Sequence, residues 1–61
     1  MFALMTHAEY LAEADRYRTK AASLRSHCAI VVSAAARQTL LDVAETYEML
    51  AQSMDREAAR A

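Results

Sequence analysis

Neither glycine nor proline occurs anywhere in the 61 residues, and that absence constrains the fold more than any motif in the chain. Without glycine no residue enters left-handed turn geometry freely, and without proline no position is barred from a helix interior. What remains is rich in Ala, Leu, Glu, Arg and Met, which all favour helix. The chain reads as all-α.

Spacing says which helices. Tyr10, Ala14, Tyr17, Ala21, Leu24 and Cys28 recur at intervals of four and three, and so do Leu40, Ala44, Tyr47, Ala51, Met54 and Ala58. That alternation keeps one stripe turned toward a partner helix. Val43 and Leu50 widen the second stripe, so the stretch Leu40–Ala51 is the stronger amphipath. Of the 34 apolar residues 15 are alanine, which removes little area from water on burial but lets helix axes approach closely.

The start of the first helix is marked by Thr6-His7-Ala8-Glu9, the S/T-x-x-E form of a capping box, with Met5 and Tyr10 placed for a hydrophobic staple. Residues 1–5 form an apolar tail without a cap, and Met5 is an alternative start. The turn has no conventional marker. Ile30, Val31 and Val32 are β-branched, and Ser33 before Ala34-Ala35-Ala36 is a good N-cap. These residues predict one hairpin domain: tail 1–5, first helix 6–29, turn 30–32, second helix 33–60. The rival is one unbroken helix in an intermolecular coiled coil.

Residues 10–24 set against 40–54 match Leu11 with Leu41, Ala14 with Ala44, Tyr17 with Tyr47, Ala21 with Ala51 and Ser23 with Ser53. This internal repeat fits either duplicated halves or convergence on one packing duty. Charge is weakly complementary between the halves. Arg16, Arg18, Lys20 and Arg25 outnumber Glu9, Glu13 and Asp15 by one before residue 31. Beyond it, Asp42, Glu45, Glu48, Asp55 and Glu57 outnumber Arg37, Arg56 and Arg60 by two.

With a net charge of −1 the chain lacks the basic footprint that nucleic acid or an anionic membrane requires. Its longest apolar run, around Cys28–Val32, falls far short of the ~20 residues of a spanning helix. One cysteine forms no internal disulfide, and no secretory leader is visible, so a reducing cytoplasm is the expected location.

The run Arg37-Gln38-Thr39-Leu40-Leu41-Asp42-Val43-Ala44-Glu45-Thr46-Tyr47-Glu48-Met49-Leu50-Ala51, preceded by Arg18-Thr19-Lys20-Ala21-Ala22, resembles small bacterial helical-hairpin proteins of unknown function. Their second helix carries R-x-x-L-L-x-x-A-x-x-Y-E-x-L-A. There an Asp-Pro turn usually opens that helix, where Ser33-Ala34 stands here. The resemblance spans about forty residues and implies a hairpin, but no activity.

Chemical constellations are sparse. His27-Cys28, with His7 elsewhere, is the one group with metal or nucleophile character, and three candidates pointing apart do not make a zinc site. A free cysteine usually packs as a small hydrophobe. Tyr10, Tyr17 and Tyr47 lack the basic groove that base stacking needs and read as core edges. The pairs Glu9/Glu13 and Glu45/Glu48 have no Glu-x-x-His companion and read as solvated surface. Catalysis is not expected, nor any cofactor or metal, since nothing converges on a pocket.

A 61-residue chain buries only about 60% of its unfolded surface, so its own core is marginal and a partner is expected. Leu11, Leu41 and Met49 form a second apolar flank beside the main stripe, which with Tyr17 and Tyr47 makes the expected interaction surface. The resulting expectation is an antiparallel two-helix hairpin that dimerises into a four-helix bundle. Its function would be oligomerisation or protein binding, as an adaptor or regulator. The alternative is a thiol- or metal-responsive sensor using Cys28 and His27 across a dimer interface.

Overall fold

The computed structural model describes residues 5–61 as two helices, α1 (His7–Cys28) and α2 (Ala34–Arg60), packed against each other. The expected tail falls largely on residues 1–4, outside the described residues. Thr6 and Ser33 are caps rather than first helical residues. The Thr6 hydroxyl accepts from the Glu9 amide at 3.1 Å and the Thr6 amide donates to the Glu9 carboxylate at 2.8 Å, closing the capping box. Met5 and Tyr10 line one hollow with Glu57 and Arg60, where the staple meets the end of α2.

The chain reverses over residues 29–33 with no positive φ. Ala29 stays in the right-handed region and Ser33 is extended. Such a turn needs no glycine, but its carbonyls need donors. The Ile30 and Val31 amides close on the carbonyls of His27 and Cys28 at 3.1 and 3.3 Å. One Arg37 guanidinium nitrogen then donates to the carbonyls of Val31 and Val32 at 2.8 and 2.9 Å, and Ser33 Oγ accepts from the Ala36 amide. An arginine one turn into α2 therefore does at the loop what a glycine-based turn does by backbone geometry.

The helices run antiparallel. At one end His7 Nδ1 donates to the Ala58 carbonyl at 2.6 Å, and at the other the Cys28 thiol lies 3.7 Å from the Arg37 carbonyl. Between these fixed points Ala14 comes level with Ala51 and Ala21 with Ala44. All four are buried, with Cys28 and Ala58 closing the line. We refer to this line as the seam. Its residues are small and recur every seven positions in each helix, so they lie on one stripe and let the backbones approach.

Candidate interaction surface

On a helix the residues three and four positions after a given one fall on opposite sides of it. The seam therefore has two flanks of different chemistry. Four residues after seam positions come Arg18 and Arg25 in α1, and Glu48 and Asp55 in α2. They pair across the helices: Arg25 holds Glu48 through two hydrogen bonds of 2.6 and 2.7 Å, and Arg18 holds Asp55. This flank is closed by charge.

Three residues after seam positions come Tyr17 and Leu24 in α1 and Tyr47 and Met54 in α2, and four before Ala14 and Ala44, on the same side, come Tyr10 and Leu40; all six are half-buried. Tyr17 and Tyr47 stack on one another, ring centres 5.9 Å apart at 27°. Stacked aromatics contribute about 0.5–1.5 kcal/mol beyond the area they cover. They meet each other rather than the opposing alanines, because both sit at the middle of an antiparallel pair whose halves share one pattern. Immediately before the seam alanines, Val43 and Leu50 extend this flank along the edge of α2, at 40% and 39% exposure. Among the described residues no large side chain is fully buried. The interior is alanine and one cysteine, and the half-buried large apolar side chains beside the seam sit on this open side.

The flank expected from Leu11, Leu41 and Met49 is not one surface. Leu11 and Leu41 occupy the ion-paired side, at the positions Arg18 and Glu48 hold one heptad on. They stand thirteen residues apart in level, about 20 Å at the helical rise, with the Arg18–Asp55 pair between them. Met49 points away from α1, on the back of α2, at 60% exposure. Of the expected surface residues, Tyr17 and Tyr47 alone meet. Val43 and Leu50 complete the open side, and sequence spacing hinted at this through their places directly before Ala44 and Ala51.

Cys28 is buried and His27 is exposed. The thiol points at the Arg37 carbonyl inside the hairpin, so a disulfide to another chain requires the loop end to open. Among the described residues no three His, Cys, Asp or Glu side chains are grouped to hold a metal ion, and no helix is long and apolar enough to cross a membrane.

The charged flank carries a pH dependence. The hydrogen bond from Arg25 holds the Glu48 carboxyl below its ordinary 4.5, and the Thr6 amide does the same for Glu9. Each carboxylate binds its proton more weakly folded than unfolded, so its contribution is complete above the unfolded value and drains as pH falls through the lowered folded one. The urea midpoint is expected to hold steady from neutrality to about pH 5 and to drop below pH 4.5. Glu48→Gln lowers the neutral midpoint and flattens the acid limb, both read by circular dichroism.

No family model, no curated protein and no solved structure matches the chain.

Proposed function

We propose that this chain is a non-catalytic association module, in which the open tyrosine side of the hairpin pairs with a second copy to form a four-helix bundle. The bundle then serves as an adaptor or regulator for a protein partner. One observation carries the reading: six large side chains are half-buried on one flank while, among the described residues, no large side chain is fully buried. A buried alanine methyl contributes only about 0.8 kcal/mol, so the seam fixes the geometry of the hairpin while a second layer supplies the burial. The opposite flank, closed by ion pairs, suits exposure to water.

Equilibrium sedimentation at micromolar concentration is the test. The expected mass is twice the 6.8 kDa of the chain, falling toward the single-chain value on dilution. A folded species that stays at the single-chain mass overturns the proposal.

A further inference from the structure

The two helices match wherever they face one another and part company along one edge. Offset by thirty positions, Ala14, Tyr17 and Ala21 repeat as Ala44, Tyr47 and Ala51, while Arg18 and Arg25 repeat with reversed sign as Glu48 and Asp55. The residues just before the seam break the pattern: Glu13 and Lys20 in α1 correspond to Val43 and Leu50 in α2. Glu13 lines a groove with Tyr17 and Met54, and Lys20 lines another with Leu24 and Tyr47, so both belong to the open side. That side has one apolar edge and one edge carrying an acid and a base a heptad apart.

Two hairpins can close face to face in two ways. If α2 of each copy lies on α1 of the other, Glu13 and Lys20 meet Leu50 and Val43, so that Lys20 is desolvated without a partner and Glu13 keeps only Arg16 of its own chain. If instead α1 lies on α1 and α2 on α2, antiparallel, Val43 meets Leu50 of the second copy and Glu13 meets its Lys20, each twice. The two helices then place the two-fold axis at levels only two residues, about 3 Å, apart, midway between 13 and 20 and midway between 43 and 50. The Tyr17–Tyr47 stack lies beside those levels.

We propose that the second copy binds in this way: an antiparallel dimer with like helices adjacent, registered by two Glu13–Lys20 ion pairs and two Val43–Leu50 contacts about an axis next to Tyr17 and Tyr47. It rests on the association proposed above and specifies its geometry. The hairpin measures 44 × 18 × 18 Å, so one broad side offers roughly 800 Å² in projection, the per-partner share of a standard interface. Arg16 is the remaining charge near the axis. It is already held by Glu13 of its own chain at 2.8 Å, which places that carboxylate between Arg16 and the Lys20 of the second copy. On the α2 edge Thr46 and Ser53 are uncharged.

Charge reversal and cross-linking test it. Lys20→Glu alone and Glu13→Lys alone are each expected to weaken the dimer roughly tenfold by sedimentation, and the double reversal to return it to within about twofold. Thr46, exposed and beside the axis, gives the second readout. In a Cys28→Ala background, Thr46→Cys is expected to form a disulfide-linked dimer on mild oxidation, lost on reduction, without loss of helix. A dimer in which both reversals are neutral and Thr46→Cys gives no linked species overturns the arrangement and leaves the association standing. A wild-type chain that sediments as a folded monomer overturns the association itself.

Discussion

Ala51→Leu is expected to unfold the hairpin under conditions in which the wild type is fully helical. Ala51 is fully buried at the centre of the seam, level with Ala14, which is 1% exposed. The seam has room for a methyl from each side and nothing more. A leucine there must either leave its rotamer minimum or push the helices apart, and insertion of methylenes into a packed core costs about 1–3 kcal/mol or more. The upper end applies, because separation of the axes acts along the whole seam: it strains the contacts of Ala44 and Ala58, the Tyr17–Tyr47 stack and both cross-helix ion pairs together. A drop of about 3 kcal/mol is a large share of the stability of any small domain. Ala22→Leu, at an exposed position on α1, keeps helix propensity and adds the same bulk, and should stay within about 0.5 kcal/mol. Urea titrations of both variants at one protein concentration make the comparison, since the proposed association contributes to stability by mass action. Equal effects of the two substitutions would mean that the seam is not where the helices meet.

Features written in neighbouring residues were legible from the sequence. Thr6 and Glu9 supply their own hydrogen bonds three positions apart, so the capping box needs no tertiary information. The seam alanines follow from spacing alone. The turn was harder, because reading for glycine and proline finds nothing and the work is done by Arg37 from outside the loop. A signal was nonetheless present in the phase of the seam. Continued by sevens, Ala14, Ala21 and Cys28 lead to positions 35 and 42, yet the buried line resumes at Ala44. Two extra residues rotate a helix by about 200°. An unbroken helix would thus carry the seam of its second half on nearly the opposite face, so two such helices could not pack along their whole length.

Which flank is open was less accessible. Leu11, Leu41 and Met49 look like a surface in the sequence because they are large, apolar and off the main stripe. Their separation becomes visible once the antiparallel register is fixed, since only then do Arg18 and Arg25 find Asp55 and Glu48 and close that side. The charges themselves lie a heptad apart in each half with opposite sign, a pattern that specifies α1 against α2 and disfavours either helix against itself along that flank.

The double substitution Val43→Glu/Leu50→Glu is expected to abolish self-association, raising the dimer dissociation constant at least a hundredfold, while the hairpin keeps its helix signal. Both residues lie on the edge of α2 beside the tyrosine line, outside the buried seam, at 40% and 39% exposure. Full burial of a valine or leucine contributes about 1.5–3 kcal/mol, and these side chains, partly covered already, retain a fraction of that for an interface. Two per chain and two chains per dimer give ~3 kcal/mol or more, a hundredfold at about 1.4 kcal/mol per decade, before glutamate repulsion is added. The matched control is Leu41→Glu/Met49→Glu, which makes the same change in charge and removes at least as much exposed apolar side chain. Met49 at 60% is more exposed than Leu50 at 39%, so exposure alone ranks Met49 as the stronger candidate. Position ranks it last, because it projects from the back of α2, and Leu41 shares the ion-paired side with Glu48 and Asp55. Sedimentation of the two variants side by side separates these criteria. Dissociation by the control pair with none by Val43→Glu/Leu50→Glu would move the interface off the tyrosine side and remove the reason for the half-buried rings of Tyr17 and Tyr47.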